Sequence, residues 1–128
     1  MNLILFEDTI ALCKLSDEAD PANWNRVGPL HVSIHDPHGQ TLLCHERVTS
    51  GHEPEIVNLS LWRCFQIDAV MDFNTVGVLA EFSGLLAERA IPLMTICSFE
   101  TDYLLVQPRH VEAAAKVLQQ AGHTIDIQ

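Results

Sequence analysis

The order of hydrophobic periodicities in residues 61–128 leaves few folds open. Leu61-Trp62-Arg63-Cys64-Phe65-Gln66-Ile67 is dense in apolar and aromatic residues and predicts a strand. Asp72-Phe73-Asn74-Thr75 follows as a loop. Val78, Leu79, Phe82, Leu85, Leu86 and Ala90 then recur at three- and four-residue spacing. That spacing predicts a helix over 76–90 with Asn74 or Thr75 as its N-cap. Pro92 ends it. Leu93 to Phe99 predicts a second strand, Glu100-Thr101-Asp102 a polar turn, and Tyr103 to Gln107 a third strand. Pro108 opens a second helix whose apolar face is Val111, Ala114, Ala115, Leu118 and Ala121, with Gly122 as its C-terminal cap. His123 to Ile127 alternates as a half-buried strand does. The order β-α-β-β-α-β is that of the ferredoxin-like α+β fold, an antiparallel sheet with two helices on one face.

Residues 1–60 show strands and little helix. Leu3 to Leu15 is apolar and is broken at Glu7-Asp8; Ser16 to Gly28 is polar, with one short helical turn at Asp20 to Trp24. Leu30 to Ile34 and Thr41 to His45 flank Asp36-Pro37-His38-Gly39, a strong turn signal, and predict a hairpin. Thr49 to Pro54 reads as a polar linker. This half is either a shrunken copy of the second or a set of strands extending one sheet. A half of about 60 residues is marginal as a domain of its own, so 1–60 and 61–128 are expected to fold as one unit.

Charge narrows the function. Seven Lys and Arg face 17 Asp and Glu, a net charge of −10, and both halves are acidic, at −6 and −4. Nucleic-acid and anionic-membrane binding both need clustered basic residues, so neither is expected. The N-terminus lacks the basic region of a signal peptide, and no uncharged stretch approaches a membrane span, so a soluble cytoplasmic protein is expected. Cys13, Cys44, Cys64 and Cys97 are far apart, each in an apolar run, and are expected to be small core residues. His31, His35, His38, His45 and His52 crowd one segment, but on strands their spacing does not gather a metal site. No nucleophile elbow, phosphate loop or dinucleotide fingerprint occurs. No catalytic residue, metal or cofactor is therefore expected.

Thr95-Ile96-Cys97-Ser98-Phe99-Glu100-Thr101-Asp102-Tyr103-Leu104-Leu105-Val106 resembles the Ser-Thr-Tyr-x-Thr-Asp-Tyr-x-Leu-Val stretch of one branch of the ACT domains. Asp72-Phe73-Asn74-Thr75-Val76-Gly77-Val78-Leu79-Ala80 is similar to that branch's Asp-Phe-x-x-x-Gly-Val-Leu-Ala, and Ala121-Gly122-His123 to its closing Ala-Gly-His. The branch includes small paired-ACT proteins, is related to the regulatory domains of aspartate kinases, and includes cytosolic arginine sensors. The match covers 61–128. Ala69-Val70 stands where the branch has Gly-Pro, and Cys97-Ser98-Phe99 where it has Ser-Thr-Tyr.

The resemblance implies a tandem of ACT-like units with a reduced first unit, and a non-catalytic regulatory protein that binds an amino acid or similar small metabolite. It implies a site built from Asp72, Phe73, Asn74, Thr75, Val76 and Gly77 together with Ser98, Glu100, Thr101 and Asp102. A ligand carboxylate suits the backbone N–H groups and positive dipole end of the helix opening near Thr75-Val76-Gly77. A ligand ammonium suits Asp72, Glu100 or Asp102. A homodimer and a regulated partner enzyme are the implied partners, with Trp62, Phe65 and Phe99 as apolar candidates for a shared surface. The alternatives are an oligomerisation or protein-interaction module of the same fold without a ligand, and a small ferredoxin-like enzyme, which would need a convergent acid–base pair in a pocket.

Overall fold

The computed structural model describes residues 1–72 and 74–128. The strands are β1 (Asn2–Leu15), β2 (Val32–Asp36), β3 (Gly39–His45), β4 (Ile56–Ile67), β5 (Met94–Cys97), β6 (Asp102–Val106) and β7 (Thr124–Ile127). The helices are α1 (Val78–Ala87) and α2 (Val111–Gln120), with short 3-10 turns elsewhere. Two compact units form: Met1–Glu7 with Arg63–Gln128, and Asp8–Trp62. The first seven residues thus group with the second half of the chain, whereas the sequence reading places them in a 1–60 unit.

In the first of these units the elements after β4 follow the predicted order: β4, α1, β5, β6, α2, β7. Antiparallel pairing joins β4 to β6 and β6 to β5. β7 pairs in parallel with β1, Asn2 opposite Thr124 through Leu5 opposite Ile127, and β1 in turn neighbours β4. The N-terminal strand therefore stands between β4 and β7. The core closes around it: Leu3 and Leu5 pack with Phe65, Ile67, Leu104 and Val106 of the strands, Phe82 and Leu86 of α1, and Ala114 and Leu118 of α2. Phe65 is fully buried in this cluster, which removes it from any shared surface.

Three boundaries differ from the sequence reading. α1 begins at Val78, with Gly77 as N-cap at φ +83 in place of Asn74 or Thr75. The cause is Asp72, whose Oδ1 accepts from the Asn74 N–H and whose carbonyl accepts from the Thr75 N–H, so those residues are held in a turn. α1 ends three residues before Ala90, because Ala90 turns left-handed at φ +55. The N–H groups of Ala90 and Ile91 then donate back to Ala87 and Leu86 in a Schellman cap. The second strand spans only Met94–Cys97, since Ser98 already belongs to the hairpin turn. Ala90 occupies a site that favours glycine, so Ala90→Gly is expected to raise stability by about 0.5–1 kcal/mol. A chemical-denaturation midpoint that fails to rise would contradict this cap.

In the 8–62 unit, β1 pairs with β3 from Ile10 opposite His45 to Leu15 opposite Gln40, and β3 pairs with β2. The Asp36–Gly39 hairpin forms as predicted, with the His38 N–H donating to Asp36 Oδ1. Glu7-Asp8 does not break the strand. β7 accompanies β1 up to Leu5 and β3 begins at Ile10, so the acidic pair lies in the interval between the two partners. There Asp8 Oδ1 lies 2.9 Å from His45 Nε2. The core of this unit is Ala11, Cys13, Leu15, Leu42 and Cys44 of the sheet with Ala19, Trp24 and Val48. Cys13, Cys44 and Cys64 are buried, and burial pushes the Cys64 thiol up to about 12. Cys97, expected in the core, is exposed at the end of the edge strand β5.

Candidate ligand-binding site

The loop after β4, the first turn of α1 and the β5–β6 hairpin turn surround a cleft of about 370 Å3. Its base is a backbone hydrogen bond, Met71 N–H to the Glu100 carbonyl at 2.6 Å, which fastens the loop to the hairpin turn. The turn is closed by Ser98: its N–H and its hydroxyl both donate to the Thr101 carbonyl, at 2.8 and 2.9 Å, and its Oγ accepts from the Thr101 N–H. Thr101 is buried and its hydroxyl donates to the Ile67 carbonyl at 2.7 Å. Both hydroxyls hold the turn in shape, a use that competes with direct contact to a ligand.

Of the residues singled out from sequence, Asp72, Thr75, Gly77, Ser98, Glu100, Thr101 and Asp102 line this cleft. Asn74 and Val76 do not line it, and Val76 is 88% exposed. Phe73 lies outside the described residues. The structure adds Met71, Cys97, Phe99 and the helix residues Val78, Leu79 and Ala80. The helical stripe that marks Val78 and Leu79 as core residues conceals this, because it describes side chains while the cleft meets the first turn's backbone.

That first turn is the chemically distinctive wall. The Glu81 N–H donates to the Gly77 carbonyl, the first hydrogen bond of the helix. The N–H groups of Val78, Leu79 and Ala80 therefore have no partner within it. No side chain of the described residues caps them, the N-cap being glycine. Left-handed φ at Gly77 turns the chain into the helix, and a Cβ there would meet nothing within 4 Å. Its hydrogen side chain thus leaves both the turn and the donors open. The rest of the lining includes the carboxylates of Asp72, Glu100 and Asp102 and no Lys or Arg. Asp72 Oδ1 is taken by the Asn74 N–H. Asp102 is half-buried opposite Cys97 in the β5–β6 ladder.

The Asp102 carboxylate beside Cys97, with partial desolvation, holds the thiol pKa above its ordinary range. Asp102→Asn removes the larger cause, so the thiol returns toward its usual value and carries more thiolate at pH 8. Iodoacetamide is expected to modify Cys97 faster in that variant, up to about tenfold for each pKa unit recovered. An unchanged rate, read by mass spectrometry, would separate the two groups.

The ACT domain family model matches residues 60–120. No curated protein gives a significant match. Among solved structures, a protein from Agrobacterium tumefaciens is 19% identical with a TM-score of 0.84, over 99% of this chain and 92% of that one. A protein of unknown function from Vibrio cholerae, described as a possible transport protein, is 19% identical at a TM-score of 0.73, over 93% of this chain and 88% of that one. The regulatory subunit of aspartate kinase from Thermus thermophilus, in its ligand-free form, is 15% identical at 0.63, over 94% of this chain and 96% of that one. At these identities the likeness is one of fold. The β-α-β-β-α-β order, the family match over the same stretch and the fold shared with an aspartate kinase regulatory subunit agree: the chain carries an ACT domain over residues 60–120.

Proposed function

We propose that the protein is a non-catalytic sensor whose cleft at the N-terminus of α1 binds a free amino acid or a close analogue. The observation that carries this reading is the pairing of opposite chemistries across one cleft. Three uncapped backbone N–H groups line one wall, and the carboxylates of Asp102, Asp72 and Glu100 line the others. The ligand carboxylate accepts from the Val78–Ala80 amides, where the helix dipole favours negative charge. The ammonium meets Asp102 and the free oxygen of Asp72 in charge-assisted hydrogen bonds. At about 370 Å3 the cleft is at the small end of ligand pockets, which suits a metabolite of this size. No helix among the described residues is long and apolar enough to cross a membrane. All four cysteines are free thiols, which fits a reducing compartment such as the cytoplasm.

A thermal-shift screen against the twenty amino acids tests this. A ligand that binds only the folded chain raises the melting temperature by mass action, by about 2.7 kcal/mol of stability at a hundred times Kd. One amino acid or a small chemical group of them is expected to do so; no shift with any of them would remove the reading.

Regulation implies that occupancy reaches another polypeptide. A second copy of the chain is the proposed partner, because Val70 and Phe99 beside the cleft are 80% and 79% exposed, and β5 leaves an edge. Light scattering is expected to give twice 14.3 kDa at micromolar concentration; the monomer mass would count against a homodimer.

A further inference from the structure

We propose that the 8–62 unit carries a binding site of its own, for a small oxyanion, in the cleft between the 20–26 segment and the β2–β3 hairpin. This cleft encloses about 450 Å3 and its lining includes Asp20, Arg26, His31, Ser33 and Gln40. It shares no residue with the cleft at α1.

The side chains there are arranged for a guest that brings negative charge. Lys14, on β1 of the same unit, donates to the His38 carbonyl. Arg26, by contrast, makes no hydrogen bond or ion pair with any described residue, in a protein of net charge −10. Asp20 lines the same cleft but is engaged locally: Oδ1 accepts from the Ala22 N–H at 3.3 Å and Oδ2 from Asn23 Nδ2 at 2.8 Å. His31 lines the cleft, and its Nδ1 is buried without a hydrogen-bond partner among the described residues. Burial, and then the nearby Arg26 charge, hold the His31 pKa below its ordinary value, so the neutral ring is favoured and the standing positive charge of the cleft is that of Arg26. An anion seated beside Arg26 meets that charge and favours protonation of the His31 ring, which then donates to it.

Gln40 fixes the polarity of the opposite side. Its Nε2 donates to the carbonyls of Ser16 at 3.1 Å and Ala19 at 2.9 Å, which uses both amide protons. The amide is thereby locked with Oε1 left to accept. The Arg26 fork, the His31 ring and the Ser33 hydroxyl supply donors, and Gln40 Oε1 and Asp20 supply acceptors. That set recognises a carboxylate or phosphate group whose carrier has a hydroxyl or amine beside it. The wall is rigid before any ligand arrives. Trp24, at the end of the 20–24 turn, is buried, donates from Nε1 to Glu55 Oε2 at 3.1 Å, and stacks on His52 at 4.0 Å. A wall ordered in advance loses little entropy on binding.

The test follows the His31 ring proton resonances of the full chain while inorganic phosphate or acetate is added, with sodium chloride at equal ionic strength as reference. Saturable His31 shifts with phosphate, acetate or both are expected, and the tighter of the two names the source of the oxyanion. Arg26→Gln is exposed and is expected to keep the fold by circular dichroism while weakening the anion at least tenfold; Ser33→Ala weakens it less. Asp102→Asn, in the other cleft, leaves this affinity unchanged. No saturation beyond the chloride response with either anion, or equal affinity in wild type and Arg26→Gln, would overturn the proposal.

Discussion

Residues 61–128 expressed alone are expected not to fold cooperatively, although they contain every element of a β-α-β-β-α-β domain. The reason is the strand the sequence pattern does not count. Asn2–Leu5 pairs with β7, and β1 also neighbours β4. Removing residues 1–7 takes away the only strand that β7 pairs with among the described residues, and strips one side of β4. It also deletes Leu3 and Leu5 from a cluster in which Phe65, Ile67, Phe82 and Leu118 are buried. Two fully buried leucine side chains contribute about 3–6 kcal/mol of burial alone. That approaches the whole stability of a domain this small. The Asp68 N–H to Asn2 carbonyl and the Arg63 guanidinium to Phe6 carbonyl bonds go as well. The fragment should show no sigmoidal melt by circular dichroism. Leu3→Ala in the full chain should cost about 2–5 kcal/mol by the cavity it leaves. A sharp cooperative melt of 61–128 would show that β1 is dispensable.

The second large effect is on affinity. Asp102→Asn is expected to weaken the amino acid found in the screen about ten- to a hundredfold, from the loss of one charge-assisted hydrogen bond of roughly 1.5–3 kcal/mol. Asp72→Asn should do less, because Oδ1 is already engaged by the Asn74 N–H and the residue is exposed. Neither change touches the core, so the ligand-free melting temperature should stay nearly constant. Gly77→Val acts differently: its Cβ meets open space, so the effect comes through a β-branched residue forced to φ +83. That costs roughly 1–2 kcal/mol and re-aims the first turn of α1. Calorimetry on the three variants separates charge from geometry. Unaltered affinity in all three would place the ligand elsewhere.

Much of this was legible in the residues, and what was not has physical causes. The helical stripes on Phe82–Leu86 and Ala114–Leu118 and the turn residues Asp36-Pro37 and Gly122 are local signals, and each element lies where they indicate. The pairing of β1 with β7 joins residues some 122 positions apart, and no local periodicity encodes it. Glu7-Asp8 misleads because an acidic pair usually marks a loop, whereas here it lies between two pairing partners. The N-cap is missed because Asn74 and Thr75 have good capping side chains, but Asp72 captures their N–H groups first. Cys97 reads as core because its run is apolar, and its exposure follows from β5 being an edge. In the cleft, the loop and hairpin carboxylates were visible as residue types. The donors opposite them are main-chain groups, expected from the helix pattern near Thr75-Val76-Gly77; the helix starts at Val78, so its open N–H groups are those of Val78–Ala80.

The most direct test of the account is a titration of the uniformly 15N-labelled protein with the stabilising amino acid, followed through the backbone amide resonances. A carboxylate seated on the helix N-terminus draws hydrogen bonds from the Val78, Leu79 and Ala80 N–H groups. Those three amide protons should move downfield and saturate together, with the effect abolished when the ligand carboxylate is replaced by an amide. Saturating shifts that leave Val78–Ala80 unmoved would contradict the proposed site, whatever the affinity.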